Sequence, residues 1–151
     1  MSKKHYVMGL CIDRSAGLVL LVEKKQPAWQ AGLLNGVGGK IEDDESPDDA
    51  MRREFKEETG ISIPFASLRL IVILTCNGGT VYVYSIEPRP FPRATDLPGS
   101  NDVGERLIIA DLDNLPNKCI PNIYWLVQLP FDNVQFPLMV NYREEESVTA
   151  R

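Results

Sequence analysis

The order of apolar runs in this chain of 151 residues predicts an α/β fold, folded as one domain over residues 1–151. Three observations lead there. Short β-branched runs bounded by turn residues recur along the chain. One strongly capped helix lies between Ser46 and Gly60. A second apolar helical period occupies residues 120–129.

Taken in order, residues 6–12 and 18–22 form two strands joined by the turn Asp13-Arg14-Ser15-Ala16-Gly17. Lys24 and Lys25 close the second strand. Lysines there keep a strand end soluble, or they contact phosphate. Residues 26–33 form a short connection containing Pro27 and Trp29. Trp29 is read as packing in the core or the loop, with stacking on a base as the alternative. Residues 34–40 are a glycine-rich turn that allows close backbone approach.

The helix that follows carries every terminal signal. Ser46 suits the N-cap, Pro47 the first turn, and Asp48 and Asp49 the positive end. Gly60 supplies a left-handed stop. Met51 and Phe55, four apart, with Ala50 beside them, make a core stripe. Arg52 and Lys56 are expected to point to water. Glu54, Glu57 and Glu58, spaced by three and four, share one face. That face is either a solvated acidic surface or a site for a hard divalent cation, since Mg²⁺ binds a few carboxylates together with substrate phosphates.

Gly39, five residues, Glu45, seven residues, Arg53-Glu54-Phe55, one residue, Glu57-Glu58, one residue, Gly60-Ile61: this spacing resembles the complete Nudix box. The resemblance implies an α/β/α sandwich around a mixed β-sheet. It implies hydrolysis of a nucleoside diphosphate linked to another group, with Mg²⁺ or Mn²⁺. It implies that Glu54, Glu57, Glu58 and the Gly38 carbonyl hold the ion, and that Arg53 orients the glutamates and pairs with Glu45. It also implies a further catalytic acid beyond the box, at Glu105, with Asp102 as the alternative. The stretch LLVEKK followed by LNGVGGK resembles the MutT-like branch that hydrolyses oxidised purine nucleoside triphosphates. There Asn35 would read the base; the alternative is a turn residue that caps its own backbone. Leu34 stands where that branch carries an aromatic, and no acidic pair precedes Tyr124-Trp125.

Beyond the box, residues 68–75 and 80–86 flank Cys76-Asn77-Gly78-Gly79 as a hairpin. Residues 87–105 form a long proline-rich loop that cannot be a central strand. Its Arg89 and Arg93 are solvated arginines or anion contacts. Residues 106–110 form a strand and 111–117 a turn. Ile123, Leu126 and Val127 give residues 120–129 a helical apolar face, stopped by Pro130, with Tyr124 and Trp125 as anchors. Residues 136–142 have strand character and 143–151 are a polar tail.

Composition bounds the partners. A net charge of −5 argues against binding a nucleic-acid polymer but not a free nucleotide. No apolar run reaches the length of a membrane span. The N-terminal apolar stretch is too short for a signal peptide. Three cysteines without a C-x-x-C pair suit a reducing cytoplasm. The single histidine, His5, excludes sites built on histidine pairs. The activity that the resemblance implies is hydrolysis of a nucleoside triphosphate to the monophosphate and pyrophosphate. The alternatives are another nucleoside diphosphate derivative, such as ADP-ribose or a dinucleoside polyphosphate, and a non-catalytic Nudix-fold nucleotide sensor. The complete box favours an enzyme. The sequence leaves the oligomeric state open, a homodimer included.

Overall fold

A computed structural model describes residues 3–76 and 78–142 of the chain. Strand β1 (Lys4–Asp13) is its centre. Along one edge β1 runs parallel to β6 (Gly79–Ile86), from Lys4 opposite Gly79 to Cys11 opposite Ile86. Its other edge is shared. The first half pairs antiparallel with β4 (Val37–Lys40), and the second half with β2 (Leu18–Glu23). Strand β2 also pairs with β3 (Leu34–Asn35) and, on its far edge, with β7 (Arg106–Asp111). On the β6 side follow β5 (Leu68–Cys76) and then β8 (Leu138–Asn141), the latter parallel to β5. The result is one mixed sheet of eight strands.

Alternation along the strands divides the core in two. Val7 and Cys11 of β1 face helix α1 (Pro47–Thr59), with Leu20, Val22, Val37, Tyr84 and Ile86 around Met51 and Phe55. Met8, Leu10 and Ile12 point to the opposite face, where α2 (Ile123–Leu126) buries Ile123 and Leu126. Helix, sheet and helix are the three layers that the resemblance implies.

Helix α1 begins and ends where the sequence says. The Ser46 Oγ accepts the Asp49 N–H at 3.1 Å, and Gly60 stops the helix at φ 77° with its N–H donated to the Lys56 carbonyl. Tyr84, buried beneath, donates its hydroxyl to the Asp48 carboxylate.

Several expectations are corrected. Arg52 is not a free solvent-facing side chain. Its Nε donates to the Ile63 carbonyl at 2.8 Å and its guanidinium lies 4.0 Å over the Phe65 ring. The second helix is a single turn, not the whole of residues 120–129. Pro121 disfavours helical backbone at Ile120, and Cys119 and Ile120 lie extended against Leu34 of β3, so the helix begins only after them. Beyond it the chain tightens into a 3₁₀ turn at Leu129–Phe131, where Pro130 has no N–H to continue a helix. Residues 34–40 are not a plain turn; they supply β3 and β4. The last strand is shorter than expected and starts after Pro137. Asn77 of the hairpin turn and the tail 143–151 lie outside the described residues. Among the described residues no helix is long and apolar enough to cross a membrane.

The αL stop is testable. A Cβ at Gly60 meets no atom within 4 Å, so only backbone strain opposes a substitution. Gly60→Ala should lower stability by about 1 kcal/mol, read from the urea unfolding midpoint. An unchanged midpoint would show that this turn does not limit stability.

Candidate active site

The three box glutamates share one face of α1, but burial separates them. The Glu57 side chain is 57% exposed, that of Glu54 is 14% exposed, and Glu58 is 8% exposed as a residue. Glu54 packs against β4. A Cβ at Gly39 would fall 2.6 Å from its carboxyl carbon, so glycine there is what lets the carboxylate lie on the strand. Gly38, the neighbour of Gly39 in β4, pairs with Met8 of β1.

Arg53 ties this face to the loop before the helix. Its Nε and Nη2 grip both oxygens of Glu45 at 2.7 and 2.9 Å. Its Nη1 donates to Glu54 at 2.9 Å and to Glu57 at 3.3 Å, and Nη2 also reaches the Lys40 carbonyl at 3.1 Å. The guanidinium holds the Glu45 carboxyl below its usual range, and the Glu45 and Glu54 carboxylates raise Arg53 above its own. The expected Arg53–Glu45 pair is thus present, with a bidentate geometry that lysine could not reproduce.

Glu54 and Glu58 are both shifted upward, chiefly by burial. Glu58 is pushed up to about 7, with Lys24 opposing the shift and Glu54 and Glu105 adding to it. Its Oε2 is buried and, among the described residues, has no hydrogen-bond partner.

Glu105 arrives from outside the box, just before β7, and is 2% exposed. Its Oε2 accepts the Lys25 backbone N–H at 2.8 Å, and its Oε1 accepts Asn101 Nδ2 and Lys24 Nζ, each at 3.2 Å. Burial works against its charge, but these donors outweigh it and hold the carboxyl below the usual range. Asp102, the alternative acid, is exposed at the loop surface. Of the two lysines only Lys24 reaches the site with its side chain. Lys25 contributes its amide, and its Nζ lies over Gly104.

A cleft of about 450 Å³ adjoins these carboxylates, with Lys24, Gly38 and Gly39 at its wall. Met8, Leu74 and Val81 contribute apolar surface to it. Asn35 lines it too. Its Oδ1 accepts the Gly36 N–H at 2.8 Å and its Nδ2 donates to Gln30 at 3.3 Å, so it both caps its own backbone and faces the cleft. Trp29 and Asn122 line it as well. Trp29, expected in packing, is 67% exposed at the rim, because the 3₁₀ turn that carries it (Ala28–Gln30) buries no residue. Asn122 has a buried Oδ1 with no partner among the described residues. Its only sequence signal was its place ahead of Tyr124-Trp125. A larger hollow of about 810 Å³ lies elsewhere, beside Arg14 and Arg69, and holds no box residue. Arg89 belongs to that hollow, and Arg93 pairs with Asp96 in the exposed loop.

Among the described residues no group of three or more His, Cys, Asp or Glu side chains is gathered tightly enough to hold a metal ion unaided. The donors are nevertheless of the right kind. They are hard oxygens, one of them buried and unpaired, and Mg²⁺ completes its shell with water and substrate phosphates rather than with protein alone.

Burial of Glu58 makes a prediction about pH. Its folded-state value lies above its ordinary 4.5, so the proton it keeps favours the fold at low pH. That contribution is complete below about pH 4.5 and is lost as pH rises to about 7. In chelator, Glu58→Gln should match the parent protein at about pH 4 and exceed it by about 3 kcal/mol at about pH 8. Urea unfolding at the two pH values measures this. Parallel pH dependence in both proteins would refute burial as the cause.

Comparison with known proteins bears on the family and the fold. A 55-residue stretch is 44% identical to CTP pyrophosphohydrolase of Escherichia coli K12, covering 36% of this chain and 40% of that protein. A 66-residue stretch is 32% identical to 8-oxo-dGTP diphosphatase of Proteus vulgaris, covering 44% of this chain and 58% of that protein. The matches therefore span less than two thirds of either relative. The fold resembles that of a MutT NUDIX hydrolase from Burkholderia pseudomallei, with a TM-score of 0.68 at 21% identity over 85% of this chain and 98% of that one. The family model for the NUDIX domain matches residues 3–91, more than half of the chain, which therefore belongs to the NUDIX domain family.

Proposed function

We propose that this protein hydrolyses a nucleoside triphosphate to the monophosphate and pyrophosphate, with Mg²⁺ or Mn²⁺ as the activating ion. The observation that carries this is the unpartnered, buried oxygen of Glu58 beside a braced Glu54, next to a cleft walled by Lys24 and two asparagines. Divalent ions are general in the family. Here Glu54, Glu57, Glu58 and the Gly38 carbonyl would hold the ion, which when bound supplies Lewis-acid charge for the phosphate oxygens.

The chain's own residues do the rest. Arg53 keeps Glu54 and Glu57 in fixed orientations through Glu45 and the Lys40 carbonyl. Lys24 faces the polyphosphate from the cleft wall. Glu105, held ionised by its three donors, accepts a proton from the water that adds to phosphorus. A phosphoanhydride P–O bond breaks, and pyrophosphate leaves. Trp29 offers a face on which a base stacks. Asn35 and Asn122 read its edge, and the Asn122 oxygen gains the N–H donor it lacks. We place the enzyme in the cytoplasm, where Cys11, Cys76 and Cys119 stay free thiols.

Two measurements test this reading. Turnover should require Mg²⁺ or Mn²⁺, and Glu57→Gln should lower kcat at least about a hundredfold with the fold retained. Full rates in excess chelator, or in that variant, would place the chemistry elsewhere. Purine triphosphates should be preferred over pyrimidines by about tenfold in kcat/KM, equivalent to about 1.4 kcal/mol. Asn35→Ala and Asn122→Ala should each flatten that preference more than they lower the overall rate. The panel is the common and oxidised triphosphates, ADP-ribose and dinucleoside polyphosphates. Strong preference for either of the last two would overturn the triphosphate assignment.

A further inference from the structure

Glu105 is held by a residue that no motif marks. Asn101 sits four positions before it, and the two are joined at several atoms. The Asn101 Oδ1 accepts the Glu105 N–H at 2.9 Å and the Val103 N–H at 3.2 Å. The Asn101 N–H donates to the Glu105 carbonyl at 2.9 Å, and the Gly104 N–H to the Asn101 carbonyl at 2.9 Å. These contacts build the turn. One further contact does not. The Asn101 Nδ2 donates to the Glu105 carboxylate at 3.2 Å. Because Oδ1 already accepts two backbone N–H groups, the amide cannot be flipped without losing both, and Nδ2 is fixed as the donor.

We propose that Asn101 is a positioning residue that locks the Glu105 carboxylate for proton removal, a role that rests on the reading of Glu105 given above. Each carboxylate oxygen offers about two acceptor directions. Those of Oε1 are filled by Asn101 and Lys24, and one of those of Oε2 is filled by the Lys25 amide. One acceptor direction remains, on Oε2, and the ring of donors decides where it points. Lys24 is the weak member of that ring. Its ammonium sits on a flexible stem and also lines the cleft, where polyphosphate would draw it away. With Lys24 engaged by substrate, Asn101 is the side chain that still holds Oε1. The turn and the carboxylate use different atoms of the same amide, so the two roles can be separated.

Asn101→Asp keeps an acceptor for both backbone N–H groups and replaces the donor with an oxygen that repels Glu105. Asn101→Ser keeps a hydroxyl acceptor, removes the donor and adds no charge. Either one suffices if the other fails to fold. The measurement is kcat and KM, separately, for a purine nucleoside triphosphate at saturating Mg²⁺, in the full chain, beside Glu105→Gln. We expect KM within about twofold of the parent and kcat lower by about tenfold or more, with Asp worse than Ser. Parental kcat in a folded Asn101 variant, with Glu105→Gln slow, would overturn the positioning role. Parental kcat in Glu105→Gln would overturn the reading of Glu105 itself.

Discussion

The grip of Arg53 on Glu45 is the interaction on which the site depends. One guanidinium joins the loop before α1, the end of β4 and two glutamates of the helix. Without it, Glu54 and Glu57 would face each other with no positive charge between them. Arginine suits this position for geometric reasons. Its planar fork meets both Glu45 oxygens and still has donors left for the helix. The pairing also fixes the helix to the strand edge that carries Gly38 and Gly39. The acidic face and the backbone beside it are therefore set by one side chain.

Burial, rather than mutual repulsion, makes this acidic face unlike a solvated one. Like charges at i,i+3 and i,i+4 on an exposed helix cost only a few tenths of a kcal/mol per pair. For Glu54 and Glu58 the largest cause of the upward shift is loss of water, and neighbouring carboxylates come after it. The exposed Glu57 keeps its water. The spacing of three and four says that the carboxylates share a face; it does not say that the face is turned under a strand. That turning comes from Gly39, whose missing Cβ admits the Glu54 carboxylate.

This marks the limit of what could be read from the chain. Helix α1 was legible to the residue at both ends, because caps are local chemistry: a Ser46 hydroxyl for an orphan N–H and a glycine for a left-handed turn. The strands flanking it were legible from their apolar runs. Strands β3 and β4 were not, because two- and four-residue strands built partly of glycine carry no periodicity. The length of α2 was also hidden. Its apolar spacing is helical over ten residues, but Pro121 disfavours helix at Ile120, and the bridge of Cys119 to the distant Leu34 is reported by no local pattern. Asn122 follows from the same long-range bridge, which draws the start of α2 up to the cleft. Trp29 was misjudged for another reason. Large aromatics are usually buried, and only the tertiary position of its turn shows that this one is not.

The place of Glu105 shows how the acid we propose as proton acceptor can be specified far from any motif. Strands β2 and β7 pair antiparallel, with Glu23 opposite Arg106. Continuing the register by one step brings the segment at Glu105 beside Lys24. That is where the Lys25 amide and the Lys24 ammonium meet the carboxylate. The register is marked at this end by an ion pair, the Arg106 guanidinium on the Glu23 carboxylate opposite it. The loop between β6 and β7 is under no such constraint, since the cost of closing a loop grows only slowly with its length. The number of residues between the box and its extra acid therefore carries little information, whereas the β2–β7 register carries a great deal. An acid placed this way has a defined partner on β2 whatever the length of the connecting loop. Its remaining freedom is rotation of the carboxylate, which the backbone alone does not fix and a neighbouring amide side chain must.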